Sequence, residues 1–344
     1  MARKQEVSIE QIRKAARVAA DLSRRFVKTP QQTVVLNKLL LLYEERNRAI
    51  ETNTFSQTDG LALVAPTGAG KSRTLKWVFS ELERIAASPG SNGSVNILSV
   101  RVRTPANLRT AAEAVMGQIG YPVPIRNLTE ATVPGLWEKV HFQLKAQKVC
   151  ILHLDEAQDI WGNANKPQRV AANNTLKSLT QNAVWPAIVI LSGTEELKEM
   201  LNQDQQLARR IKPTEILPIA KATDAKTVRA VITSFTSEAG LVSFKEADTK
   251  FLDRFFVACC NRLGIAIRLV IGAIKQAILA DDPGLMDQHF ALAYADIPEC
   301  DAQMNPFLSD DWSTIDASKV FARCNNEPDD HSKSQKSPRL RSGQ

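Results

Sequence analysis

The chain has 344 residues, 44% of them hydrophobic and 24% charged, with a formal net charge of +7. That is enough apolar sequence for a globular protein of two domains, and too much for an intrinsically disordered one. No stretch approaches the roughly 18 apolar residues of a membrane span, and the opening Met-Ala-Arg-Lys-Gln-Glu lacks a signal-peptide core, so a cytoplasmic protein without a membrane partner is expected.

The first 28 residues hold eight Lys/Arg against three Asp/Glu, a basic arm of the kind that attracts phosphate backbones. Residues 8 to 25 form a predicted helix, with Ile9, Ile12, Ala16, Ala19 and Ala20 at helical spacing. After Thr29-Pro30, residues 31 to 50 form a second, with Val34, Val35, Leu36, Leu39, Leu40 and Tyr43 on a wider apolar face. A polar linker leads into the short apolar run Leu61–Ala65, read as a buried strand. Residues 72 to 87 follow as a helix with Leu75, Val78, Phe79, Leu82 and Ile85 inward, ended by the turn cluster at 88–93.

A second strand is predicted over 95–102, followed by Thr104-Pro105 and a helix carrying Leu108, Ala112, Val115 and Met116. The third and fourth strands are 149–154 and 187–191. Nearly continuous apolar strands alternating with helices imply a parallel sheet covered on both faces. A fifth strand is predicted at Glu215–Ile219, with Pro218 suiting an edge or a strand end. Beyond 221 the pattern is helical, with Phe251, Phe255, Phe256, Ile267, Ile271, Ile274 and Ile278 as core candidates. The expected organisation is a basic helical segment (1–52), an α/β core (53–220), a helical lid (221–296) and a C-terminal segment (297–344) disordered from about 325. The five cysteines have no C-x-x-C spacing, which argues against a thiolate metal site or a disulfide framework.

The chemistry is concentrated where strands end. Ala65-Pro66-Thr67-Gly68-Ala69-Gly70-Lys71-Ser72, between a strand and a helix, has the form of a phosphate-binding loop. Backbone N–H groups wrap the phosphates, Lys71 supplies charge to the β/γ oxygens, and Ser72 offers a hydroxyl to magnesium. Pro66, Thr67, Gly68, Ala69, Gly70, Lys71, Ser72 and Arg73 are the nucleotide-binding candidates. Ala65 replaces the usual first glycine and fits only if its φ stays negative. The third strand ends in Asp155-Glu156: Asp155 suits the magnesium shell and Glu156 the polarisation of an attacking water. The tip of the fourth, Leu191-Ser-Gly-Thr194, is where a γ-phosphate sensor belongs, with Thr194 preferred and Ser192 in reserve; capping of the next helix is the competing role. Arg209 and Arg210 precede the last strand, where an assembled ATPase offers an arginine to its neighbour, and Arg268 opens a lid helix.

Taken in order, Gly-Lys-Ser, Asp-Glu, Ser-Gly-Thr, paired Arg and Gly-x-x-x-Arg followed by a helical lid resemble the AAA+ superfamily of P-loop ATPases. Within it the chain resembles the TniB and TnsC group of transposition regulators, related in role to phage Mu B. That resemblance rests on Thr29-Pro-Gln-Gln32, Asp155-Glu-Ala-Gln-Asp159, Gln206-Leu-Ala-Arg-Arg210 and Asn305-Pro-Phe307 as well as the loop. It implies an α/β fold with about five parallel strands, ATP and Mg2+ as cofactors, and ATP hydrolysis. It also implies a homo-oligomer, ring or helical filament, on double-stranded DNA that bridges a target-selection protein to a DDE transposase and disassembles on hydrolysis.

Other P-loop classes fit less well. A GTPase needs Asn-Lys-x-Asp, and the nearest run, Asn165-Lys-Pro-Gln168, lacks the acid. A superfamily 2 helicase needs a second RecA-like domain, and the 150 residues after Thr194 are largely helical. A clamp-loader or initiator ATPase shares the machinery, but no further DNA-reading domain is evident after 295. A nucleotide-gated AAA+ scaffold or signalling ATPase without DNA binding stays open as the alternative.

Overall fold

The structure, a computed structural model, describes residues 7–318 except 55–57, 89–93, 103–105, 122–131, 163, 182–184, 243, 245–247 and 298–301. The turn cluster at 89–93, Thr104-Pro105 and the tail beyond 325 lie outside the described residues. The chain divides into two compact units: 26–218, and 1–25 together with 219–344.

The first unit is an α/β sandwich on a five-stranded parallel sheet of order β2-β3-β4-β1-β5. Its strands are β1 (Gly60–Val64), β2 (Ile97–Arg101), β3 (Ile151–Asp155), β4 (Ile188–Gly193) and β5 (Ile211–Glu215). Successive side chains along a strand point to opposite faces, so each central strand feeds two cores. Leu61, Leu63, Ile151, Ile188 and Ile190 meet Leu75, Val78 and Leu82 of helix Lys71–Ala86 and Val35, Leu39 and Tyr43 of helix Pro30–Glu51. On the other face Ala62, Leu152, Leu154, Val189 and Leu191 meet Val115, Leu136, Val140 and Leu176. Helix Pro30–Glu51 starts on Thr29, whose N–H donates to Gln32 Oε1 (2.5 Å), with Pro30 in the first turn where its missing donor costs nothing.

Two sequence expectations are corrected here. The fifth strand is Ile211–Glu215, not 215–219, and it carries Pro213 on the sheet edge, where a missing N–H breaks no ladder. Residues 216–218 instead run past helix Pro30–Glu51: Leu217 donates its N–H to Gln31 Oε1 (2.8 Å) and accepts from Gln31 Nε2 (3.2 Å). Residues 1–52 also do not form one segment, because helix Ile9–Arg24 belongs to the helical unit and helix Pro30–Glu51 to the sheet.

In the helical unit, helix Ile9–Arg24 packs on helix Leu263–Leu279. Its buried residues are Ala15 and Leu22, while Ile9 and Ile12 are exposed, opposite to the face expected from spacing. The basic stretch is therefore a docked helix with Arg13, Lys14 and Arg17 on its outside. Helices Lys221–Glu238, Thr249–Ala258 and Asp287–Ala295 complete the unit around Phe251, Phe255 and Phe290, all buried. Asn305, fully buried, donates to the Ala291 carbonyl (2.9 Å), and Arg254 Nη1 donates to the carbonyls of Pro306 (2.6 Å) and Ser309 (2.7 Å). Those bonds tie the C-terminal segment to the helices. Among the described residues no single helix is long and apolar enough to cross a membrane.

Candidate active site

Strand β1 ends at Val64, and the chain turns through Ala65–Gly70 into helix Lys71–Ala86. Gly68 (φ 80°) and Gly70 (φ 103°) adopt left-handed backbone, which costs a residue with a side chain roughly 1–2 kcal/mol. A Cβ on Gly70 would meet nothing within 4 Å, so backbone angle rather than crowding requires glycine there. Ala65 is not among the residues with positive φ; it is buried, and its N–H donates to the Gly193 carbonyl (3.1 Å). The alanine is therefore compatible with the loop. Lys71 is only 6% exposed and its Nζ donates to the Ala65 carbonyl at 2.8 Å, which folds the loop back on its own helix.

Asp155 closes β3 in register with Ser192 of the adjacent β4. Its two oxygens have different partners. Ser192 Oγ donates to Oδ1, and Ser72 Oγ lies 3.4 Å from Oδ2. Behind Ser192 stands His153, with Nε2 2.8 Å from Ser192 Oγ and Nδ1 2.8 Å from Ser99 Oγ. Burial pushes the His153 imidazole down to about 4, with the nearby Asp155 charge opposing, so it is neutral at physiological pH.

Glu156 follows in a left-handed conformation (φ 54°), a strained turn of the kind that clusters at functional sites. The turn is held by Ala157 N–H on the Ser192 carbonyl (2.9 Å). Gln158 then returns to the carboxylate, its Nε2 donating to Glu156 Oε2 (2.9 Å) while its Oε1 lies 3.4 Å from Thr194 N. A Cβ on Gly193 would sit 2.2 Å from Gln158 Oε1, so glycine in the Ser-Gly-Thr tip is what admits this side chain. Thr194 starts helix Glu195–Asn202 without a side-chain cap, and its hydroxyl is buried with no hydrogen-bond partner among the described residues. An unpaired buried hydroxyl costs about 1–3 kcal/mol, so the group calls for a partner such as water or a ligand.

The arginines lie elsewhere. Ile211 pairs with Gly60, so Arg209 and Arg210 lie at the start of β5, one strand length (roughly 13 Å at 3.3 Å per residue) from where β1 enters the loop. Arg209 is exposed and Arg210 half-buried, with its Nη1 lacking a partner among the described residues. Arg268 is exposed on helix Leu263–Leu279 of the helical unit. Pro66 and Arg73 are half-buried and Thr67 exposed on and just beyond the loop.

His153 and Gln158 were not singled out from the sequence. A histidine inside an otherwise apolar strand was the available signal for the first. The second lies inside the Asp155-Glu-Ala-Gln-Asp159 motif, but its link to Thr194 depends on the β3–β4 register.

The donor set fits magnesium and a triphosphate. Magnesium is held by one or two protein oxygens plus phosphates rather than by a protein cage. Ser72 and Asp155 present such a pair beside the loop that opens helix Lys71–Ala86, whose N-terminus favours an anion. Among the described residues no cluster of three or more His, Cys, Asp or Glu offers a cage.

The family described as "Bacterial TniB protein" matches residues 17–220, which contain the whole sheet, the loop, Asp155-Glu156 and the paired arginines. The chain belongs to the TniB family. No curated protein matches it. Among solved structures, the TniB-family chain is similar to the Aeropyrum pernix ORC1 protein in complex with DNA (TM-score 0.58, 18% identity, 81% of this chain and 69% of that one). It is also similar to Cdc6p from Pyrobaculum aerophilum (TM-score 0.57, 14% identity, 83% and 72%) and to Drosophila ORC bound to DNA (TM-score 0.56, 16% identity, 88% and 69%). At these identities the likeness establishes the fold alone, the AAA+ α/β fold expected from the sequence.

Proposed function

We propose that this TniB-family chain is an ATP-dependent DNA-binding transposition regulator. It assembles as a homo-oligomer on target duplex DNA, bridges a target-selection factor to a DDE transposase, and disassembles when ATP is hydrolysed. The observation that carries the reading is the meeting of loop, metal carboxylate, base and sensor at one end of the sheet. Ala65 is bonded to Gly193, Ser72 approaches Asp155, and Glu156 and Thr194 share Gln158.

In this reading Lys71 and the loop N–H groups bind the β- and γ-phosphates, and Ser72 and Asp155 would hold Mg2+. A magnesium ion held there would neutralise charge on the phosphates. Glu156 orients and deprotonates water, and Thr194, whose hydroxyl has no partner among the described residues, reads the γ-phosphate. Arg209 and Arg210, a strand length from their own loop, serve a neighbour's nucleotide. ADP-bound and DNA-bound states are known for proteins of this fold: the ORC2 protein of Aeropyrum pernix was solved as ADPNP-ADP complexes and its ORC1 protein with DNA.

The DNA part is tested by duplex retention with ATP, with ADP and without nucleotide. Retention in ATP alone is expected, and failure in all three conditions leaves a nucleotide-gated scaffold that does not touch DNA. Helix Ile9–Arg24 offers a second arm of the test. Its removal would strip Ala15 and Leu22 from the helical unit, so Arg13, Lys14 and Arg17 are better changed together to Gln. If all three neutralise phosphates, the slope of log K against log salt becomes shallower by up to about 3. An unchanged slope removes this helix from the DNA surface.

A further inference from the structure

The four residues Ser99, His153, Ser192 and Asp155 share one face of the sheet. Alternation puts His153 and Asp155 on the Ile151 side of β3, and Ser192 on the Ile188 and Ile190 side of β4. That is the face covered by helix Lys71–Ala86. Phe79 of that helix lies edge-on to the His153 ring, with centroids 5.4 Å apart. His153 and Ser192 are 3% and 0% exposed, and among the described residues their side-chain polar atoms bond to each other, to Ser99 and to Asp155.

The direction of every bond follows from the carboxylate. An ionised Asp155 accepts only, so Ser192 must spend its single proton on Oδ1. Ser192 Oγ then accepts from His153, which requires the proton on Nε2. Nδ1 is left as an acceptor and takes the hydroxyl proton of Ser99, which stands exposed on edge strand β2. One tautomer satisfies the whole chain.

We infer that His153 and Ser192 are positioning residues for the metal carboxylate: the donor chain from β2 through β3 to β4 pins Asp155 Oδ1, so that Oδ2 is presented to Ser72 and to magnesium. This assignment rests on the proposed ATPase reading and removes Ser192 from the sensor role, leaving that role to Thr194. Partners that orient a metal-ligating carboxylate typically change metal affinity by about 10- to 100-fold when removed. The Ser-Gly-Thr tip thus holds two differently placed hydroxyls, the serine's bonded to Asp155 and the threonine's buried with no partner among the described residues.

The test is equilibrium binding of a fluorescent ATP analogue during a Mg2+ titration and in EDTA, with the thermal midpoint of each variant recorded. Ser192→Ala should raise the Mg2+ concentration for half-maximal effect about 10- to 100-fold while leaving the affinity in EDTA unchanged. Two polar changes at His153 then separate orientation from mere burial. In His153→Gln the amide nitrogen lies near the place of Nε2 and keeps the bond to Ser192; in His153→Asn the amide oxygen replaces Nδ1 and the Ser192 end is lost. His153→Gln should stay close to the parent, and His153→Asn should match Ser192→Ala. Equal Mg2+ curves for parent, Ser192→Ala and His153→Asn would overturn the inference. So would a loss in EDTA as large as the loss in Mg2+, which would mark a general structural role. A parent chain that binds no nucleotide would instead overturn the ATPase reading itself.

Discussion

Glu156→Gln is expected to bind ATP as the parent does and to hydrolyse it about 10²- to 10⁴-fold more slowly, the range for loss of a general base. The substitution is nearly isosteric, and its amide oxygen still accepts from Gln158 Nε2, so the strained turn at φ 54° and the bridge toward Thr194 keep their supports. What is lost is basicity alone. ATP then stays bound, and any assembly that depends on it accumulates. Phosphate release measured under saturating ATP checks the rate, and sedimentation in ATP checks the accumulation. A parent-like rate would remove Glu156 from the chemistry.

Lys71→Ala is expected to lose ATP affinity by about two orders of magnitude or more. An ammonium hydrogen-bonded to charged oxygens is worth about 1.5–3 kcal/mol per bond, so two such bonds account for at least about 100-fold. The change also frees the Ala65 carbonyl, which Nζ now holds at 2.8 Å, and so loosens the loop itself. Equilibrium binding of a labelled nucleotide measures the loss. Binding within a few-fold of the parent would place the phosphates elsewhere.

Much of this site was legible in the sequence because its parts are local. A phosphate loop, a strand ending in Asp155-Glu156 and a strand ending in Ser-Gly-Thr are each contiguous, and central strands buried on both faces read as apolar runs. β5 was misplaced for the converse reason. Ile-Lys-Pro-Thr-Glu lies on the sheet edge with only Ile211 and Thr214 buried, so its pattern is weaker than the more apolar run after it. The buried face of helix Ile9–Arg24 was missed because Ala15 and Leu22 pack on a helix some 250 residues away in sequence, which no local spacing encodes. The same holds for the link between Gln158 and Thr194 and for the two roles in the Ser-Gly-Thr tip. Spacing placed Ser192 and Thr194 together, and only the register of Ser192 with Asp155 separates them.

In the proposed assembly a neighbouring chain completes the ATP site, since Arg209 and Arg210 stand at the other end of the sheet from the loop. The direct measurement is steady-state ATP hydrolysis by mixtures of a Glu156→Gln chain with an Arg209→Ala, Arg210→Ala chain. Each alone should be nearly inactive. Mixed in equal amounts, about a quarter of head-to-tail interfaces join an intact base to an intact arginine pair, and activity should reappear in that proportion. No recovery in the mixture, with the double arginine variant inactive alone, would mean that the arginines act within their own chain. A double arginine variant as active as the parent would mean that they take no part.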